Sequence, residues 1–462
     1  MTRNGFIAFI ITFWLAGFLS HGQTINELYK KPGYEVLCED FECICPRLQN
    51  ETVVKCSNRG IKKLPLGVLF PPTVYKANFR NNQIEKIVSE SFIHGQELEL
   101  IDLSHNNIDF IANSAFSKFS HLKTLLIASN RIWKLEIGMF LNLGQLQYLD
   151  LRKNKIRSFS PLIFQPLLNL RELRLDFNPL ISISAYSFQY LPSLQFLYLE
   201  KTKLKDVPSK LFSNNPELLY IILSGNNLTE VPVTVLKYVP QLKYLDISAN
   251  PIREIKPFAF SELPALEKLF LEDMSELVMI HQSAFYGISG LKELHCSFNP
   301  SLRSIDVNAF RRKDTKEAVT VENLYLHHNG LTTLSEHLLR WAALKHLDLA
   351  GNPWTCDCHL SWITTEKLQR SVKDRMRCSL PRSVAGQIIS TLEEKDFTCG
   401  PKSSTKSIVT FVFLALVFVV LMLGTLRYGL YQNRWIQSCL GKWQRRYKHL
   451  DTHLDSINMT ET

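Results

Sequence analysis

The sequence predicts an α/β solenoid, a long stack of short coils, and three observations carry that prediction. The phrase L-x-x-L-x-L-x-x-N-x-L, with any bulky aliphatic allowed at L, opens twelve times between Val74 and Leu344. Its first eight intervals are 24 residues each, and then come 25, 30 and 23. The ninth position is asparagine from Asn82 to Asn352, broken only by Thr202 and Met274. A third column runs through Phe92, Phe116, Phe140, Phe164, Phe188 and Phe212, then Leu236, then Phe260, Phe285 and Phe310. A fixed period of about 20–50 residues marks a repeat array.

Within one repeat, Leu146-Gln-Tyr-Leu149-Asp-Leu151 alternates with the period of a strand. One face of such a strand points into the coil and the other points out. A lone coil cannot bury its leucines, but stacked coils share one continuous core. The column asparagine falls where the strand turns, and its amide can satisfy buried backbone groups of adjacent coils. The phenylalanines are expected to fill the far side of each coil.

The repeats resemble the leucine-rich repeat family. That resemblance implies a curved horseshoe with a parallel β-sheet on its concave face, residues 74–351 forming about twelve repeats. Cys38, Cys43, Cys45 and Cys56, closing on Asn58-Arg-Gly-Ile61, resemble the N-terminal cysteine cap of extracellular members, placed at residues 38–73. Asn352-Pro-Trp-Thr-Cys356-Asp-Cys358, with Cys378 and Cys399, is similar to their C-terminal cap, placed at 352–400. A solenoid end exposes the core of its last coil and needs a cover. A cover this small needs staples. Four cysteines per cap permit three pairings, and the resemblance implies Cys38–Cys45, Cys43–Cys56, Cys356–Cys378 and Cys358–Cys399. Zinc at Cys356, Cys358 and His359 is the rival reading; a C-x-C with a neighbouring histidine does not have structural zinc spacing. No metal or cofactor is expected. Cys296 occupies a core column and reads as a small buried hydrophobe.

The N-terminus carries Arg3, an apolar run from Gly5 to Leu19 and small residues, the pattern of a signal peptide over 1–22. A polar segment, 23–37, follows. Residues 408–426, after a linker at 401–407, are uncharged and would span ~28 Å as a helix, about one hydrocarbon core. Basic residues crowd its C-terminal side, from Arg427 to Lys448. The positive flank stays in the cytoplasm. This predicts a single-pass type I plasma-membrane protein with a cytoplasmic tail at 427–462. The tail interleaves Tyr428, Tyr431, Trp435, Trp443 and Tyr447 with base, a composition suited to the headgroup layer. Cys439 is a palmitoylation candidate, and Tyr447-Lys448-His449-Leu450 resembles a sorting signal. Asn50 and Asn227 are glycosylation sequons outside the membrane.

The net charge of +10 is modest for 462 residues and has no dense basic run outside the tail, which argues against nucleic acid. The chain has no H-E-x-x-H and no phosphate-binding glycine loop. An enzyme is therefore not expected, and function is expected on a surface. Positions 2, 3, 5, 7 and 8 of each repeat face the concave side. They hold Tyr148, Arg174, Phe196, Tyr198, Tyr220, Tyr244, Phe270 and Tyr325, with Phe177 and Phe298 beside them. Tyrosine, phenylalanine and arginine are typical interface anchors, although lateral stacking could instead only stiffen the sheet. The whole resembles single-pass neuronal and adhesion-type leucine-rich repeat proteins. Two roles follow from that: adhesion or recognition through an extracellular protein ligand or cell-surface partner, or a co-receptor for microbial or secreted ligands. Homo-oligomerisation is compatible with either.

Overall fold

The computed structural model describes residues 36–46, 52–311, 319–365, 367–399 and 405–454. The signal segment and its cleavage point, nearly all of the polar segment, the Asn50 sequon, the charged insertion after Arg311 and the start of the linker lie outside the described residues. The chain divides into two compact units, Met1–Phe397 and Thr398–Thr462.

The first unit is built on one parallel sheet of thirteen strands, laid down in chain order. These are β1 (Val53–Lys55), β2 (Lys76–Asn78), β3 (Leu100–Asp102), β4 (Thr124–Leu126), β5 (Tyr148–Asp150), β6 (Glu172–Arg174) and β7 (Phe196–Tyr198). They continue as β8 (Tyr220–Ile222), β9 (Tyr244–Asp246), β10 (Lys268–Phe270), β11 (Glu293–His295), β12 (Asn323–Tyr325) and β13 (His346–Asp348). Register is kept residue for residue, so Leu173 pairs with Leu197 and Arg174 with Tyr198. The central residue of nearly every strand is buried, and most of its neighbours are half-exposed on the open face. Parallel strands need a returning crossover. Here it is a tight leg of turns with single helical turns such as Pro161–Phe164 and Val233–Leu236.

The asparagine column stitches the coils together. Asn178 Nδ2 donates to Leu151 O in the preceding coil and to Leu175 O in its own, both at 2.9 Å. Its Oδ1 accepts from Ile156 N at 3.0 Å. The two exceptions show how the ladder tolerates gaps. Thr202 substitutes a hydroxyl, with Oγ1 2.9 Å from Leu199 O. Met274 brings no donor; the amide of Asn299 reaches back to Leu271 O at 2.9 Å and accepts Met274 N at 2.7 Å. One step before each column residue, all twelve repeats place a residue at positive φ, including Phe177 at 57° and Phe298 at 58°. This left-handed step turns the asparagine inward. Glycine suits it best, yet only Gly225 and Gly351 supply one.

The phenylalanine column lies fully inside, and Phe260, Phe285 and Phe310 stack ring on ring at 6.1 and 4.6 Å. Cys296 is buried in the same core; burial pushes its thiol up to about 12. At one end Cys38 is bonded to Cys45 and Cys43 to Cys56, closing over Leu37 and Ile61. At the other, Cys356 is bonded to Cys378. Trp362 in that cap donates its indole N–H to Leu334 O at 2.9 Å, tying cover to coil. Cys358 and Cys399 are also disulfide-bonded.

The second unit contains α1, Thr405–Leu454, a helix of 50 residues. Its segment Phe413–Gln444 is long and apolar enough to cross a membrane.

Candidate ligand-binding face

All eight face residues expected from the sequence lie half-buried on the open side of the sheet, and none turns inward among the leucines. The structure sorts them into two groups. In the first, the Arg174 guanidinium lies over the Tyr198 ring, 4.2 Å from its centre. Parallel register brings this about, because Arg174 and Tyr198 are paired neighbours on β6 and β7. The same guanidinium lies beside Tyr148 and reaches Asp176 Oδ2 at 3.4 Å. Burial pushes the Tyr148 and Tyr198 hydroxyls up, so both stay neutral donors at physiological pH.

The second group is a stack of six rings. Phe196, Tyr220 and Tyr244 occupy the first position of β7, β8 and β9, with centroids 5.0 and 5.2 Å apart. The stack then steps diagonally to the third position, Tyr244 to Phe270 at 4.9 Å, and continues through His295 at 4.2 Å to Tyr325 at 4.3 Å. Sequence reasoning missed His295. The signal was there: it stands at the fifth repeat position, the column of Tyr198, Phe270 and Tyr325, and only a filter for Tyr, Phe and Arg hid it. Glu272 and Glu293 approach its ring nitrogens at 3.7 and 3.6 Å. Because the rings cover one another's faces, the stack offers solvent its edges and hydroxyls. Burial pushes Tyr244 up to about 12, with Asp246 and Glu272 adding to the shift.

Charges around the stack largely pair off. Glu267 bridges Lys243 at 3.5 Å and Lys292 at 2.8 Å, Lys268 meets Glu293 at 3.1 Å, and Glu322 meets Lys345 at 2.8 Å. Such partly exposed pairs contribute little stability each, ~0–1 kcal/mol. Asp150 and Asp246, at the fifth repeat position, turn down to cap backbone: their Oδ1 atoms accept from Arg152 N at 3.1 Å and Ser248 N at 2.9 Å. Burial raises the pKa of both. Nearer the N-terminal end the sheet face forms a basin of about 560 Å³, lined by Arg80, His105, Tyr148, Arg152 and Lys153 among others. Burial and the Arg80 guanidinium hold His105 below its usual range.

Outside these groups, Phe177 is exposed between the ammonium groups of Lys153 and Lys201, 5.4 and 5.2 Å from its ring centre. Phe298 packs against His327 and His328, whose Nδ1 atoms lie 3.0 Å apart. The Asn227 side chain is exposed beside the buried Asn226. Cys356 and Cys358 are both disulfide-bonded, and the metal ligand is the thiolate, so the zinc reading loses both of its sulfur donors. Cys439 is exposed on α1.

A family model for the leucine rich repeat matches residues 72–132, 120–180, 168–228 and 216–273. Trophoblast glycoprotein of Macaca fascicularis is 31% identical over 128 residues, 27% of this chain and 30% of that protein. The phospholipase A2 inhibitor of Gloydius brevicaudus siniticus is 32% identical over 78 residues, 16% of this chain and 24% of the inhibitor. The match thus covers less than a third of either relative. Among solved structures, a chain of the Toll–Spatzle complex of Drosophila aligns with a TM-score of 0.54 at 18% identity, over 76% of this chain and 55% of that one. A chain of the octameric complex of Latrophilin 3, Unc5D and FLRT2 aligns at 0.51 and 20% identity, over 78% of this chain and 99% of that one. These two likenesses establish the shared fold.

Proposed function

Since the chain is a leucine-rich repeat protein, with a capped solenoid and an open sheet face, we propose that it is a single-pass cell-surface receptor that binds a protein partner through that face. The observation that carries this reading is the Tyr148–Arg174–Tyr198 group. It places an arginine, planar and already stacked on the Tyr198 ring, beside Tyr148 at the middle of the open sheet face. Half-buried aromatic and arginine side chains held rigid before binding are what hot spots are made of, because little entropy is left to lose. The six-ring stack beside them stiffens the sheet and lends its hydroxyl edges. The related folds occur in proteins found in complexes with protein partners, Spatzle in one and Latrophilin 3 and Unc5D in the other. In this reading the repeats stand outside the plasma membrane, the apolar segment crosses it once and the tail lies in the cytoplasm. Adhesion and a co-receptor role are the two forms this reading takes.

The test is an unbiased pull-down with tagged ectodomain, residues 23–400, against extracellular proteins. The captured partner is then offered to Tyr198→Ala/Tyr220→Ala/Tyr244→Ala. Capture should weaken at least tenfold, about 1.4 kcal/mol, which is modest for hot-spot residues, while secretion stays normal. Unchanged capture would move the site to another surface. Clustering of cells that express the full chain supports adhesion; capture of a soluble ligand without clustering supports the co-receptor role.

A further inference from the structure

The helix α1 is too long for its apparent task. Its 50 residues would extend ~75 Å, whereas a hydrocarbon core needs only ~30 Å. The surplus lies after Arg427, and it has two unlike sides. Trp435, Cys439 and Trp443 follow one another at intervals of four, with Ile436 and Leu440 in the adjoining row. Residues four apart share a helix face. By helical register the opposite face carries Arg434, Gln437, Ser438, Arg445 and Lys448, Lys442 stands at one border of the apolar stripe, and Arg446 falls between the rows of Trp435 and Cys439. Trp435, Ile436 and Leu440 are each between 46% and 65% exposed.

We propose that the helix bends near Gly429 and that residues 431–454 lie flat on the cytoplasmic leaflet. The Trp435–Cys439–Trp443 stripe is then sunk at the headgroup–acyl boundary, and the basic face meets anionic lipid phosphate. This rests on the single-pass reading given above. Continuity with the membrane span is what selects the occupant: a stripe beginning a few residues after the bilayer is held at its surface before any soluble partner arrives. Tryptophan prefers that depth, and lysine and arginine stems reach past the stripe to the phosphates. Gly429 is the weak link in the helix at the right height, because glycine holds helical conformation poorly. Cys439 then faces lipid, away from the cytoplasm.

The test uses the full chain in phosphatidylcholine vesicles with and without phosphatidylserine. Cys439 is labelled with a small polarity-sensitive fluorophore under non-reducing conditions, which select it because Cys296 is buried and the other eight cysteines are in disulfides. A second preparation, Cys439→Ser/Gln437→Cys, places the label on the opposite face. In anionic vesicles the label at 439 should be several-fold less quenched by aqueous iodide than the label at 437, and quenched by nitroxide lipids. The shielding should fall when salt is raised or phosphatidylserine is left out. Ile436→Asp/Leu440→Asp should abolish it while the protein still resists alkaline extraction. Equal iodide quenching at both positions overturns the proposal, as does shielding that needs no anionic lipid but grows with protein concentration, which would mean a second copy covers the stripe. Loss of the wild-type chain to alkaline extraction would instead bring down the single-pass reading itself.

Discussion

At the residue scale, two side-chain types decide how the coils hold and what the face presents. Asn178 satisfies two carbonyls and one amide that no water can reach. Removing it strands those groups, at about 1–3 kcal/mol for each left unmade. Asn178→Ala should therefore lower the denaturation midpoint by more than Thr202→Ala, measured by chemical unfolding of the ectodomain. The half-buried carboxylate of Asp246 works in the opposite direction. Asp246 has its pKa raised by burial, so the folded state holds its proton more tightly than the unfolded chain does. Stability then falls as pH rises through the window above 3.8, the usual value, and the penalty persists at neutral pH. Asparagine keeps the acceptor for Ser248 N and carries no charge. Asp246→Asn should raise Tm at neutral pH, with the gap closing as the pH is lowered through that window. A Tm below the parent at neutral pH would show that the carboxylate's hydrogen bonds outweigh its desolvation. The asparagine column was plain in the sequence because it recurs. The inward turn of Asp150 and Asp246 was not, since a strand position that alternates outward says nothing about a short side chain folding back onto its own turn.

At the element scale, the caps and the far-side rings are separable supports. The repeats alone present an open core at each end, and the staples hold the covers there. Cys43→Ser/Cys56→Ser should cost about 2–5 kcal/mol, expose Leu37 and Ile61, and reduce secretion. A Cys296→Ala change, which touches no staple, should leave secretion near normal. The ring column is as costly to interrupt: Phe188 is fully buried, and Phe188→Ala should destabilise by about 3–5 kcal/mol. The cysteine spacing and the phenylalanine period were both legible in the chain. The character of the returning legs was less so. Their turns and isolated helical turns follow from how little chain remains once three strand residues and the asparagine turn are placed, a matter of geometry more than propensity.

At the scale of the whole molecule, stability is close to a sum over coils and their contacts with nearest neighbours. That makes a whole repeat removable. Excising residues 218–241 takes out 24 residues, one full period, and sets Phe196 beside Tyr244 with Asn250 in the place of Asn226. The shortened ectodomain should still unfold cooperatively with an unchanged far-UV spectrum, yet lose partner capture, because the face is one strand narrower and its ring stack has lost a member. Removing twelve residues instead should prevent folding, since half a period puts leucines where the face should be. The sequence by itself determined the period, the shared core and which side chains stand on the open face, and it counted twelve coils where the sheet has thirteen strands, the first being Val53–Lys55 inside the N-terminal cap. These are set by periodicity and by the two-sidedness of a strand, which are properties of one coil repeated, whereas the cap pairings came from the family resemblance. Only the tertiary structure decided which face residues touch. Whether Arg174 covers Tyr198, and where the ring stack crosses from one strand position to the other and takes in His295, depend on register and side-chain reach between neighbouring coils. No position within a single repeat encodes that relation.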